Sequence, residues 1–371
     1  MVVIMKTIIN YAKEETRSFK VFPFNDVDSL ILSTLSYINF KDIVPSLKEH
    51  KRSVIMENIS IDLIKENIKS LADAKLHLKL FEAVSHNPRF KDLRLNNYIE
   101  IIDLVKETHF CAITFKCDLF CYVAYMGTSA SLIDWKEDFN MAYMTPVPAQ
   151  KYAVKYLNKL MSYTPGYIYI GGHSKGGNLA IYSAVNTFFW NKLRIKKVYT
   201  HDGPGFTKKF FNSIKYDLMR SKISKTVPSS SIVGMLMFSR EEYRVVKSNA
   251  FSILQHSSFT WQIDNSDFIY LKDRAWDSKY FDKTISDWLN SVTDEEKTLF
   301  VNTMYNILNA VDYSTIDVTK NNWWNIYKTI KEGKAKLDPE TKKKIDEIFK
   351  KLTYYQKMNL FPKITNNSCK E

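Results

Sequence analysis

The sequence predicts an α/β protein: a mostly parallel sheet flanked by helices, with helical additions before and after it. Three observations carry this expectation. Between residues 96 and 276, short β-rich runs alternate with amphipathic segments, the pattern of parallel strands joined by helices. Nine of the ten glycines fall between Gly127 and Gly234, where tight turns between strands and helices need them. Residues 1–95 and 277–371 carry helical apolar spacing through most of their length. The expected organisation is an N-terminal helical region (1–95) packing on the core, an α/β core (96–276) and a C-terminal helical extension (277–371).

Each element has its own signal. Asn25, with Asp28 three positions on, makes a capping pair, and Val27, Leu30, Ile31, Leu35 and Ile38 follow at helical spacing. A second helical zone runs over 61–85. The β signal begins with 110–115 and 120–125, separated by Lys116-Cys117-Asp118 as in a hairpin. Helices are expected at 132–141 and 150–161, followed by the strand Tyr167-Ile168-Tyr169-Ile170 and a helix after Ser174. The next strand is 195–200, with shorter candidates at 231–237, 243–246 and 259–263. Further on, Thr293 and Glu296 have capping-box spacing, and Asp338-Pro339 opens a helix with proline at its first position.

Composition narrows the class. The 371 residues are 45% hydrophobic and 14% aromatic, enough for a sizeable core. No apolar run approaches the ~20 residues of a membrane span, and the N-terminus lacks a signal-peptide pattern, so a cytoplasmic location is expected. The four cysteines, Cys111, Cys117, Cys121 and Cys369, form no C-x-x-C pair and no Cys/His set with zinc spacing. A metal site is therefore not expected. Free thiols are the default, with a disulfide across the hairpin as the alternative. The formal net charge is +13, and late in the chain Lys342-Lys343-Lys344 and Lys350-Lys351 punctuate a helical pattern. A solvated helix face is the plain reading, and attraction to an anionic membrane surface the functional one. No nucleic-acid-binding module accompanies the charge, and nothing in the sequence signals an oligomeric state.

Chemistry concentrates in Gly171-Gly172-His173-Ser174-Lys175-Gly176-Gly177. A G-x-S-x-G between strand and helix is the context of a nucleophile elbow, which presents its serine at the carboxyl end of a sheet. Gly172 and Gly176 remove side chains that would collide in so tight a turn. A phosphate-binding loop at a helix N-terminus is the alternative, but no G-K-[ST] follows and the spacing is wrong for a P-loop. A serine nucleophile needs a base, an acid to orient the base, and donors for the oxyanion. The amide after the nucleophile, here that of Lys175, supplies one donor in the elbow arrangement. Ala124-Tyr125-Met126-Gly127-Thr128 ends an earlier strand: Gly127 allows close backbone approach, and Thr128 offers an amide and a hydroxyl. Only His201 and His256 follow Ser174. The order serine, acid, histidine selects His256, because His201 directly precedes Asp202 near a strand end. Asp202 opens a Gly-Pro-Gly turn after strand 195–200 and is the candidate acid. Its alternative is an aspartate that only stabilises this turn.

With these residues in hand, the chain resembles the Mbeg1-like family of bacterial proteins, within the α/β-hydrolase superfamily and close to class 3 lipases. The resemblance spans residues 24–273. It rests on Phe24-Asn25-Asp26-Val27-Asp28-Ser29-Leu30, Gly127-Thr128 with Asp134-Trp135-Lys136-Glu137-Asp138-Phe139, Gly172–Ala180, Asp202-Gly203-Pro204-Gly205-Phe206, Ser231-Ile232-Val233-Gly234 and Gln255-His256. It implies an α/β-hydrolase fold and a lipase- or esterase-like serine hydrolase that cleaves a small-molecule ester, thioester or lipid without a cofactor. It also implies that Gly127-Thr128 forms the oxyanion hole and that Asp138, three residues after Trp135, supports the Thr128 hydroxyl. Two departures stand out. Lys175 occupies a position that is usually apolar in lipases, and Ser231 stands where class 3 lipases place their catalytic aspartate. Asp202 suits a variant in which the acid comes from the preceding strand end. Were it to point away, the site would be a Ser–His dyad or a catalytically degenerate binding or regulatory protein. Acyl transfer to an acceptor other than water, and a lid made by the N-terminal helices, are further alternatives.

Overall fold

The structure, a computed structural model, describes residues 5–71, 73–128, 132–141, 144–309 and 323–360. Cys369 and the side chains of Asp134 and Trp135 lie outside the described residues. The chain divides into two compact units, Met1–Arg274 and Ala275–Glu371.

The first unit is built on a sheet. Its strands in chain order are β1 (Val54–Ile55), β2 (Arg94–Asp103), β3 (Thr108–Lys116), β4 (Cys121–Tyr125), β5 (Ile168–His173), β6 (Ile195–His201), β7 (Ile223–Pro228) and β8 (Tyr243–Val246), then the short β9 (Ile263–Asp264), β10 (Asp267–Phe268) and β11 (Tyr270–Leu271). Among the described residues, nine lie side by side in the order β1-β2-β3-β4-β5-β6-β7-β8-β11, while β9 and β10 pair separately. The centre, β4 to β8, is parallel, and the margins are antiparallel. Around the sheet lie α1 (Ile8–Glu14), α2 (Asp26–Leu35), α3 (Ile61–Asn67), α4 (Ala74–His86), α5 (Leu132–Met141), α6 (Pro148–Met161), α7 (Lys175–Asn186), α8 (Phe189–Arg194) and α9 (Ile214–Arg220). This is an α/β-hydrolase-like fold.

Strand β4 shows how the layers form. All five of its residues are buried, and the two-residue period of a strand sends them alternately to opposite faces. Tyr122 and Ala124 join a cluster that includes Tyr11 of α1, Leu30 of α2 and Phe81 of α4. Cys121, Val123 and Tyr125 join another with Leu157 of α6 and Leu179 of α7. A parallel centre covered on both faces in this way is expected to read as continuous apolar runs.

The N-terminal helices are fixed by caps and by one buried ion pair. The Asn25 side chain accepts from the amides of Val27 and Asp28, and Asp28 accepts from the Asn25 amide, so the capping box read from the sequence is closed. Asp28 also pairs with Arg89 at 2.6 Å, both side chains fully buried. Arg89 in turn donates to the Arg17 and Phe22 carbonyls and lies 4.1 Å over the Phe19 ring. Removing one partner of such a pair strands a buried charge, at a cost of about 3–5 kcal/mol.

Strand register levels the carboxyl ends at the parallel centre. Tyr125 is opposite Gly172, His173 opposite His201, and His201 opposite Thr226. The residues that follow β4, β5 and β6 therefore emerge along one edge.

Several elements depart from the sequence expectations. Segment 231–237 is not a strand but a turn with a 3-10 helix at Val233–Met235, because Ser231 and Gly234 fold inward onto Asp202. Segment 259–263 is mostly a 3-10 turn at Ser258–Thr260, with only Ile263–Asp264 extended at its end. The zone 61–85 is two helices, α3 and α4. Strands β2 and β7 are additions: Asn96 and Asn97 adjoin a register shift that breaks the β2 pattern, and β7 carries Ser224-Lys225-Thr226. Cys111, Cys117 and Cys121 are free thiols rather than a hairpin disulfide.

The second unit is helical: α10 (Trp276–Ser291), α11 (Asp294–Asn309), α12 (Trp323–Ala335) and α13 (Pro339–Leu360). Its core includes Val292, Met304, Ile307, Ile345 and Ile348. The Thr293 amide donates to Glu296 and the Glu296 amide to Thr293, and Asp338 caps α13 through the Thr341 amide. Among the described residues, no helix is long and apolar enough to cross a membrane.

Candidate active site

The turn between β5 and α7 is too tight for side chains two residues before and two residues after Ser174. A Cβ at Gly172 would lie 2.2 Å from the Gly176 carbonyl carbon, and one at Gly176 would lie 2.1 Å from the Tyr125 carbonyl oxygen. Ser174 itself has φ 57° and ψ −132°. Such a backbone costs a non-glycine residue roughly 1–3 kcal/mol and persists only where its surroundings enforce it. The enforcement is visible: the Ser174 amide bonds the His201 carbonyl at 2.9 Å, and the Ser174 carbonyl accepts from the Gly177 amide at 2.9 Å. An elbow serine is expected to stand open, but Ser174 is only 6% exposed.

Asp202 follows β6, the hydrogen-bonded neighbour of the serine's strand, and is fully buried. Its two oxygens divide their work. Oδ2 meets His256 Nδ1 at 2.6 Å, and Oδ1 accepts from Ser231 Oγ at 2.5 Å and the Gly234 amide at 3.1 Å. Glycine is required at 234, since a Cβ there would stand 2.2 Å from Oδ1. With Nδ1 donating to the carboxylate, a neutral His256 ring keeps Nε2 as its acceptor. Among the described residues, no hydrogen bond joins Nε2 to the Ser174 hydroxyl. Such bonds are often long in unliganded sites and tighten with substrate.

His201 is excluded as a base by its partners. Its Nε2 lies 2.9 Å from Ser29 Oγ and its Nδ1 2.7 Å from Thr226 Oγ1. Complete burial pushes its imidazole down to about 3.

The expected oxyanion residues lie on neighbouring segments. Thr128, just beyond β4, donates its hydroxyl to Asp138 Oδ2 at 2.5 Å. Gly127 packs so closely that a Cβ would meet the Tyr37 hydroxyl at 2.0 Å and the His173 carbonyl at 2.6 Å. Lys175 is the first residue of α7, and its side chain, only 1% exposed, points inward rather than to solvent. The ammonium lies 3.4 Å from Glu137 Oε2 and 3.3 Å from the His109 carbonyl.

Several supporting residues escape a reading of the sequence. His173 Nε2 donates to the His256 carbonyl at 2.8 Å, which leaves Nδ1 to accept from the Tyr37 hydroxyl at 3.0 Å. Both ring nitrogens are thus satisfied with His173 neutral, and burial holds its pKa well below the usual histidine value. The His173 and His256 rings lie 4.6 Å apart. Gln255 pins the histidine loop to the end of β7, accepting from the Ser230 amide at 2.8 Å and the Ser229 hydroxyl at 3.0 Å. Its carbonyl accepts from the Trp261 indole at 2.9 Å. The elbow motif contains His173 and the resemblance includes Gln255, but the contacts these residues make join segments far apart in sequence and no local pattern announces them. Among the described residues, no group of three or more His, Cys, Asp or Glu side chains could hold a metal ion.

The mostly parallel sheet with the strained Ser174 at the end of its strand β5 is the architecture of an α/β-hydrolase-like protein. The chain belongs to the Mbeg1-like family, whose model matches residues 84–306. A comparison with curated protein sequences finds no match. Among solved structures, the chain is similar to M37 lipase at 17% identity, over 56% of this chain and 68% of that one, with a TM-score of 0.35. It is similar to the Rhizomucor miehei lipase propeptide complex at 15% identity, over 70% and 76%, with a TM-score of 0.36. A third similar structure is Lip2 lipase from Yarrowia lipolytica, at 13% identity over 48% and 72%, with a TM-score of 0.31.

Proposed function

We propose that the protein is a serine hydrolase, lipase- or esterase-like, that cleaves a carboxylic ester or thioester through an acyl-Ser174 intermediate. The observation that carries the reading is the 2.6 Å contact between His256 Nδ1 and buried Asp202. A carboxylate placed there fixes the imidazole tautomer and stabilises the imidazolium that forms during proton transfer. His256 Nε2 takes the Ser174 proton as Oγ attacks the substrate carbonyl, then returns it to the leaving alcohol or thiol. Water, deprotonated by the same nitrogen, releases the acid and regenerates the serine. The negative charge that develops on the carbonyl oxygen is held by the Lys175 amide and by Thr128, with Asp138 orienting the threonine hydroxyl.

The test is labelling with a fluorophosphonate probe, together with hydrolysis of short p-nitrophenyl esters. Wild-type protein is expected to take the probe and turn over the esters, and Ser174→Ala to do neither while keeping its melting temperature. Equal turnover by the two proteins would remove Ser174 from the mechanism. A folded wild type that takes no probe would favour a scaffold retained for binding.

A further inference from the structure

Helix α5 carries two consecutive carboxylates, Glu137 and Asp138, and each holds a different part of the candidate oxyanion hole. Asp138 Oδ2 accepts from the Thr128 hydroxyl at 2.5 Å. Glu137 Oε2 lies 3.4 Å from the Lys175 ammonium, with the two side chains 0% and 1% exposed. Successive helix residues point about 100° apart, so one helix edge can reach both the end of β4 and the start of α7. Glu137 is itself fixed: its Oε1 accepts from Thr108 Oγ1 at 2.5 Å and from the Ala149 amide at 2.9 Å. A second bond, from the Lys175 ammonium to the His109 carbonyl at 3.3 Å, ties the same side chain to β3.

We propose that Glu137 is a positioning residue for catalysis, acting through Lys175 to hold the amide that receives the oxyanion. The inference rests on the serine-hydrolase reading. It gives the departure at Lys175 a purpose. An apolar residue after the nucleophile would only pack, whereas this lysine is an arm that reaches from the elbow to an anchored carboxylate. The two donors come from different segments, and α5 sets the distance between them. Loss of one such donor costs about 10²–10³ in kcat, and a displacement of ~1 Å costs about 10², so a loosened tether registers in turnover before it registers in binding.

The experiment compares wild type, Glu137→Gln and the double variant Glu137→Gln/Lys175→Met. It measures kcat and KM for p-nitrophenyl butyrate, Ki for phenylboronic acid as a tetrahedral probe, fluorophosphonate labelling and Tm. The single variant takes the Glu137 charge away from a buried ammonium and is expected to lose stability. The double variant removes both charges, so it avoids the cost of a broken buried pair, and its glutamine oxygen still accepts from Thr108 and Ala149. It is therefore expected to lose less Tm than the single variant while also losing the tether. In both variants kcat should fall roughly 10- to 100-fold, the order expected of a misplaced rather than deleted donor. KM should be unchanged, and Ki should rise by the same factor as kcat falls. If Glu137→Gln does not fold, the double variant carries the comparison.

A folded double variant with wild-type kcat and Ki overturns the proposal, and so does a parallel loss in kcat and KM with Ki unmoved. Both are read with a wild type that labels, so they leave the hydrolase reading standing. A wild type that neither labels nor turns over ends that reading, and this inference with it.

Discussion

Asp202 receives three donors from two segments: His256 Nδ1 from one, and Ser231 Oγ and the Gly234 amide from the other. These contributions should separate in kinetics. Asp202→Asn is expected to lower kcat by roughly two to four orders of magnitude, since the amide selects the wrong imidazole tautomer and cannot stabilise the imidazolium. Ser231→Ala removes one of three bonds to the carboxylate and should cost about tenfold or less, close to 1.4 kcal/mol in the barrier. Steady-state assays of both variants check this ranking, and the reverse order would move the orienting role to the Ser231 turn. The sequence makes this site partly legible at the residue scale. Only two histidines follow the serine, and one of them abuts an aspartate at a strand end, so the candidates for base and acid are few. The support around them is hidden. Tyr37 reaches His173 across 136 positions, and His173 reaches the His256 carbonyl across 83. No local pattern encodes contacts made by the fold itself.

At the scale of elements, the elbow is the least tolerant part of the chain. Gly176→Ala would push a methyl group into the Tyr125 carbonyl oxygen, 2.1 Å from the ideal Cβ position, and both atoms belong to the central layer. Overpacking of this kind costs about 1–3 kcal/mol or more. We expect a lower urea midpoint and loss of probe labelling. Gly166→Ala, where a Cβ meets nothing within 4 Å, should label normally despite the cost of its positive φ. A wild-type midpoint for Gly176→Ala would mean that the turn relaxes freely. Elements with strong local chemistry are the ones legible in sequence: the Asn25 and Thr293 capping boxes, the Pro339 helix start, and the β3–β4 hairpin. Strands β2 and β7 are not, because Asn96-Asn97 and Ser224-Lys225-Thr226 interrupt the apolar alternation, and pairing with neighbours supplies what propensity does not. The 231–237 segment misleads for the opposite reason. Its apolar run suggests a strand, but its Ser231 hydroxyl and Gly234 amide turn toward Asp202.

Two predictions concern the molecule as a whole. Burial keeps His201 and His173 neutral, with His201 pushed down to about 3 and His173 held well below its ordinary value. In the unfolded chain both titrate near ~6.5. Below that pH the unfolded state binds protons that the folded state refuses. Stability should therefore fall with pH, by about 1.4 kcal/mol per unit for each histidine, until the folded value is reached. Above pH 7 neither contributes a slope. Urea denaturation between pH 5 and 8 measures this, and His201→Asn should remove one histidine's share of the slope. An unchanged slope would mean that His201 is not held neutral. The second prediction concerns the lysines of α13. Lys344 pairs with Glu340 and Lys351 with Glu296, each at 2.7 Å, so part of the charge is answered within the fold. Changing Lys342, Lys343, Lys344, Lys350 and Lys351 to glutamine is expected to leave sedimentation with phosphatidylglycerol vesicles unchanged. If these lysines instead recruit an anionic surface, each contributes about 1 kcal/mol, and the substitutions would abolish binding.

The bond between Ser231 and Asp202 also constrains how such a protein changes over generations. A carboxylate at 231 would lie against the one at 202, since Oγ and Oδ1 are 2.5 Å apart. Ser231→Asp in this background would set two carboxylates against each other, and one of them would have to stay protonated. Asp202→Ser alone would leave no acid. Every single-step route between the two arrangements therefore crosses an impaired intermediate. The pair is expected to change together or not at all, and Ser231 records which side of that divide this lineage occupies.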